Sequence, residues 1–184
     1  FTFFVCGLST NGLIQTHWIS ICGDFGLMPV GAAGILAMIG LFDFAGTILS
    51  GWLSDRYDNR WLLFWYYGLR GLSLIVLAFS SFDLFTLSLF AVFYGLDWVA
   101  TVPPTVKLSA EHFGREKAGM IFGWVFTGHQ LGAATAAFGA GYIRSDYASY
   151  MPALYIAGMM CVLAALSIFI IRQNKPVFLT ATHA

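Results

Sequence analysis

VGAAGILAMIGLFDFAGTILSGWL, residues Val30–Leu53, followed without a gap by SDRYDNR, residues Ser54–Arg60, decides how the whole chain is read. The first stretch is apolar apart from Asp43 and a few small residues, and as a helix it is long enough to cross a hydrocarbon core of about 30 Å. Its apolar positions are continuous rather than alternating, which sets it apart from a strand of a lipid-facing barrel. The second stretch crowds Asp55, Arg56, Asp58 and Arg60 together, a polar hairpin before the next apolar run.

Outward from this pair the same pattern repeats. Apolar stretches of spanning length run from Phe1 to Cys22, Val30 to Leu53, Trp61 to Phe79, Leu84 to Leu108, Gly119 to Ile143 and Tyr150 to Ile171. A lipid-exposed backbone must satisfy its own hydrogen bonds, so these are expected to be helices. The fold class expected is all-α: a polytopic six-helix transmembrane domain over residues 1–171 and a cytoplasmic tail over 172–184, whose sequence lacks apolar periodicity. Composition agrees, since 59% of residues are hydrophobic, 10% are charged and mean hydropathy is +0.77, whereas soluble domains carry roughly a quarter charged residues. Nine basic residues balance nine acidic ones, which gives no basic footprint for nucleic acid. Phe1 lies inside an apolar stretch with neither an initiator Met nor a basic region before it, so the sequence is expected to be part of a longer polypeptide rather than to begin with a signal peptide.

Basic residues in short loops set orientation. If the first helix starts inside, the inner segments hold Arg56, Arg60, Lys107, Arg115, Lys117, Arg172 and Lys175, against Arg144 alone outside. Both termini are therefore expected in the cytoplasm, in a cell inner or plasma membrane.

Ionisable groups at membrane depth are costly and mark function by default. Asp43, Arg70, Asp97 and His129 lie near the centres of their spans, Gln130 follows His129, and the first span carries Asn11 and Gln15 on one helical face. Arg70 needs a carboxylate or water around it, and Asp43 and Asp97 are the acids at similar depth. A carboxylate left without such a partner is a candidate proton carrier, and His129 suits the same task. Pro103 and Pro104 bend or break the fourth span. Along the fifth, Gly128, Gly132, Ala136 and Ala140 form a small-residue stripe suited to close helix packing. Cys6, Cys22 and Cys161 have no metal-ligand spacing and read as small apolar residues. No GxxxxGK[ST] or HExxH pattern occurs, so no cofactor or metal is expected.

The hairpin carries a more specific signal. A glycine, three residues, then Asp-Arg and a further basic residue, here Gly51, Asp55, Arg56 and Arg60 between two membrane helices, resembles the signature loop of the major facilitator superfamily. Asp58 stands where the family has a second glycine, and Trp61 where it has a second consecutive base, so the loop is similar to the degenerate copy in the C-terminal half. The resemblance implies that these helices correspond to the seventh to twelfth of a twelve-helix fold, with an N-terminal six-helix half as partner. It implies that Asn11, Gln15, Asp43, Asp97, His129 and Gln130 line a substrate or proton pathway, that Arg70 is a structural ion-pair partner, and that Asp55 and Arg56 latch the cytoplasmic side. Monocarboxylate carriers of this family are expected to hold their carboxylate with an arginine in the eighth helix. The span Val30–Leu53 has none, which argues against an organic anion, although Arg70 in the next helix keeps it open.

The expected function is secondary active transport of a small solute by alternating access, coupled to protons as symport or antiport, and not enzymatic. Two rivals stand beside it. A six-helix channel or oligomeric scaffold would need no partner half, and an integral membrane enzyme would have to use His17 and His129, which sit on different spans with no accompanying motif.

Overall fold

The computed structural model describes residues 1–170, and these are almost entirely helical. The expected tail at 172–184, with Arg172 and Lys175, lies outside the described residues. The first rod consists of α1 (Thr2–Gly7), a π-helical stretch (Leu8–Gln15) and α2 (Thr16–Asp24). Then follow α3 (Pro29–Ser54) and α4 (Asn59–Ala78), an interrupted rod made of α5 (Leu84–Asp97) and α6 (Val102–Phe113), α7 (Ala118–Tyr147) and α8 (Met151–Ser167). The fourth span, expected to bend or break at Pro103 and Pro104, is interrupted between Asp97 and Val102.

Helix starts follow local chemistry. Pro29 opens α3, where its missing N–H costs nothing. Asp58 caps α4 by accepting from the Arg60 amide at 2.8 Å, and Asp83 caps α5 by accepting from the Thr86 amide at 3.0 Å and the Thr86 hydroxyl at 2.7 Å. The Ser81 hydroxyl, donating to Asp83 Oδ2 at 2.5 Å, and those Thr86 bonds together hold the Asp83 carboxyl below the usual carboxylate range.

By length and composition alone, four helices are suited to cross a membrane: Pro29–Ser54, Asn59–Ala78, Leu84–Phe113 and Met151–Ile170. The remaining rods, 2–24 and α7, carry the polar ladder and the small-residue stripe, which dilute their hydropathy. Large apolar side chains such as Phe44, Trp65, Phe79, Phe93 and Phe138 point out of the bundle, as a lipid solvent allows.

The rods associate as three close pairs: the first with α7, α3 with α5, and α4 with α8. Each pair meets where glycine lets backbones touch. A Cβ on Gly46 of α3 would fall 2.1 Å from the Leu96 carbonyl oxygen, and one on Gly95 of α5 would fall 2.6 Å from that of Ile39. Gly71 and Gly158 join α4 and α8 in the same way. Within the stripe on α7, Gly132, Ala136 and Ala140 are buried, and a Cβ on Gly132 would lie 1.9 Å from the Phe4 carbonyl oxygen. Gly128 behaves differently, because a Cβ there meets nothing within 4 Å. Gly132→Ala is therefore expected to destabilise the bundle by roughly 1–3 kcal/mol, as overpacking does, and to lower its melting temperature in detergent. Gly128→Ala is expected to leave that temperature unchanged.

Candidate functional site

The break between α5 and α6 organises the site. Pro103 and Pro104 have no amide hydrogen, so the carbonyls four residues earlier, on Val99 and Ala100, lose their helical donors. The chain tightens instead. The Trp98 amide donates to Gly95 at 3.0 Å and the Val102 amide to Val99 at 2.9 Å, both three residues back. Other backbone groups are left to side chains. Asp43 Oδ1 accepts from the Val99 amide at 2.9 Å, and the Ser50 hydroxyl donates to the Ala100 carbonyl at 2.5 Å. Arg70 Nη2 donates to the Asp97 carbonyl at 2.5 Å and the Trp98 carbonyl at 3.1 Å. One face of α3 and one arginine of α4 thus satisfy a stretch that the proline pair leaves open.

Arg70 also meets the Asp97 carboxylate, Nε to Oδ2 at 2.6 Å, and its Nη1 donates to Cys6 Sγ at 3.1 Å. The arginine is only 1% exposed and Asp97 only 7%. Cys6, read in the sequence as a packing residue, therefore sits in a polar cluster, with Thr101 Oγ1 at 3.4 Å. Burying two charges is repaid only by close geometry and saturated hydrogen bonding, and the arginine's partners supply both. Asp97 Oδ1 is buried without a hydrogen-bond partner.

Asp43 differs. It is half-buried, its hydrogen bonds come from the Val99 amide and from the Thr47 hydroxyl at 3.2 Å, and it lines a cavity of about 200 Å³ with Gln15, Leu36, Ile39, Gly40 and Trp98. Gln15 connects this cavity to the first rod. Asn11 Nδ2 donates to Gln15 Oε1 at 2.8 Å, and His129 Nε2 lies 3.3 Å from Asn11 Oδ1. An amide oxygen accepts, so the His129–Asn11 contact is a hydrogen bond when Nε2 carries a proton. The π-helical stretch frees carbonyls for side chains: Thr16 donates to Asn11 five residues back at 2.8 Å, and the Tyr94 hydroxyl donates to Ser9 at 2.8 Å. Wide turns of this kind recur at functional sites.

Asn11, Gln15, Asp43 and His129 thus come together along one polar path. Asp97 lies behind it, bound to Arg70, and Gln130 is exposed on α7. Thr47, Ser50, Cys6, Trp98 and Thr101 were not singled out in the sequence. Thr47 and Ser50 carried a signal, since they follow Asp43 at spacings of four and seven and share its helical face.

Both ends of the bundle are tied. At one end Lys107 of α6 donates to the Ser54 carbonyl at 2.7 Å and to Asp55 Oδ1 at 2.9 Å, Arg56 stacks on Trp52 with its guanidinium carbon 4.0 Å from the ring centroid, and Ser54 bonds Asn59. Gly51 lies in the last turns of α3, and Arg60, in the first turn of α4, reaches the Phe169 carbonyl at 3.5 Å. At the other end Arg144 grips Asp24 with two bonds of 2.7 and 2.8 Å, and His17 bridges Tyr150 at 3.2 Å and the Ala137 carbonyl at 2.9 Å. Lys107 holds the Asp55 carboxyl below its usual range. A depressed carboxyl contributes stability above its ordinary pKa of about 3.9 and loses it as pH falls through the lower, folded value. Pepsin cleavage near residues 54–60, measured relative to an unstructured peptide at the same pH, is therefore expected to rise on acidification through that range, and Asp55→Asn is expected to lose that pH dependence.

Comparison with known proteins points the same way. The sequence profile of the Major Facilitator Superfamily matches residues 1–182. The uncharacterized MFS-type transporter YcxA of Bacillus subtilis is 31% identical over 147 residues, 77% of this chain and 35% of that protein. Monocarboxylate transporter 13 of Rattus norvegicus is 28% identical over 145 residues, 77% of this chain and 33% of that protein. A probable hexose phosphate transport protein of Chlamydia muridarum is 29% identical over 118 residues, 62% of this chain and 25% of that protein. The matched region spans about a third of the length of the first two relatives.

Proposed function

The chain belongs to the major facilitator superfamily and is an integral membrane transport protein; from that premise we propose that it forms the C-terminal half of a proton-coupled secondary carrier. Its six rods rock against an N-terminal six-helix half around a site near the bilayer midplane, with both termini in the cytoplasm and the 54–60 hairpin on the cytoplasmic side. The observation that carries this reading is the polar path from Asp43 through Gln15 and Asn11 to His129, bordering a cavity at mid-span. Asp43 is the carboxylate on that path, and its hydrogen bonds come from an amide and a hydroxyl rather than from a cation, which suits it to carry the proton. The broken α5–α6 rod is the flexible member of the pair it forms with α3, because its backbone is held by side chains rather than by a continuous helical ladder.

The test uses the full-length protein in proteoliposomes. An imposed proton gradient is expected to drive accumulation of its solute, and a protonophore to abolish it. Saturable flux indifferent to the gradient would remove proton coupling, and unsaturable, channel-like flux would remove the carrier reading.

A further inference from the structure

We infer that the cavity bounded by Gln15, Asp43 and Trp98 receives an organic ammonium group, so the solute is positively charged at the end this half holds. The inference rests on the carrier reading above and specifies its substrate class.

Charge placement in this half favours a positive group over a negative one. Arg70 is the arginine nearest the path, and its donors are taken by the Asp97 carboxylate, two carbonyls and Cys6 Sγ, with 1% of its surface exposed. Arg56, Arg60, Lys107, Arg115 and Lys117 lie at the hairpin end of the bundle, and Arg144 is bound to Asp24 at the other end. His129 Nε2 is engaged by Asn11, and His17 is held between Tyr150 and the Ala137 carbonyl. A carboxylate or phosphate entering this cavity would find no arginine or lysine among the residues that line it and would face Asp43. An ammonium finds the reverse. Both hydrogen bonds to Asp43 fall on Oδ1, and Oδ2 receives none from the described residues. Trp98 lines the same cavity, and tryptophan is the aromatic side chain that attracts a cation most strongly. The volume of about 200 Å³ is below the roughly 300–1,000 Å³ of whole-ligand sites, which suits one small head group with the rest of the solute in the partner half.

Three nearly isosteric probes separate charge from shape: benzylammonium, benzyl alcohol and benzoate, titrated into the full-length protein in detergent with thermal stability as readout. Benzylammonium is expected to stabilise at concentrations at least tenfold below benzyl alcohol, and benzoate to have no effect. Asp43→Asn is expected to bring benzylammonium to the level of benzyl alcohol, and Trp98→Leu to weaken it several-fold. Stabilisation by benzoate, benzylammonium binding unchanged in Asp43→Asn, or no response to any probe would each overturn the inference. Gradient-driven accumulation of an anionic solute would overturn it while leaving the carrier reading intact; ammonium binding without any saturable flux would do the opposite.

Discussion

Arg70→Met is expected to lose roughly 3–5 kcal/mol of stability and most of the folded yield. Removing the guanidinium leaves the Asp97 carboxylate buried without its counter-ion, and it also strips donors from the Asp97 and Trp98 carbonyls at the α5–α6 break. An unpaired charge at membrane depth is expensive, and the unsatisfied carbonyls add to it. Adding Asp97→Asn removes the charge but not the carbonyl deficit, so the double variant is expected to recover part of the loss. Detergent-solubilised yield and melting temperature measure both. Full stability in Arg70→Met would mean that the arginine does not support the break.

Asp43→Asn is expected to act on coupling rather than on folding. Asparagine keeps an oxygen that can accept from the Val99 amide, so the break stays closed, but it cannot carry the proton. Gradient-driven accumulation in proteoliposomes is expected to fall at least tenfold at every solute concentration, while solute exchange at equal pH on both sides persists once the solute concentration is raised to offset the weaker binding. Loss of both activities with the fold intact would assign Asp43 to solute binding alone, and retention of both would place the proton elsewhere on the path.

Much of this was legible in the sequence because membrane solvation imposes strong rules. Apolar length and continuity announced helices, and the hairpin with Asp55 and Arg56 announced the family. The costly residues Asp43, Arg70, Asp97 and His129 stood out for lack of any other reason to be there. Sequence could not say which acid meets Arg70, because Asp43 and Asp97 lie on different helices and pairing depends on their rotation about their axes. That rotation follows from the glycine contacts between α3 and α5, Gly46 with Leu96 and Gly95 with Ile39, which turn Asp97 toward α4 and Asp43 toward the first rod. Pro103 and Pro104 signalled a break but not its repair. That repair needs Ser50 and Arg70 from other helices, and their distance in sequence hides the relation. Cys6 was misjudged for the same reason, since a thiol among apolar neighbours in sequence meets a guanidinium only after folding.

Labelling at Gly40, exposed on α3 beside Asp43, tests the account most directly. The cysteines of this chain, Cys6, Cys22 and Cys161, are buried, so once any cysteine elsewhere in the full-length protein is replaced by serine, a membrane-impermeant maleimide reports on Gly40→Cys. If the cavity opens in turn to either side, the reagent is expected to reach this position from both faces of the membrane, and bound solute to slow it. Labelling from neither face, or from one face under every solute and proton condition, would contradict the account.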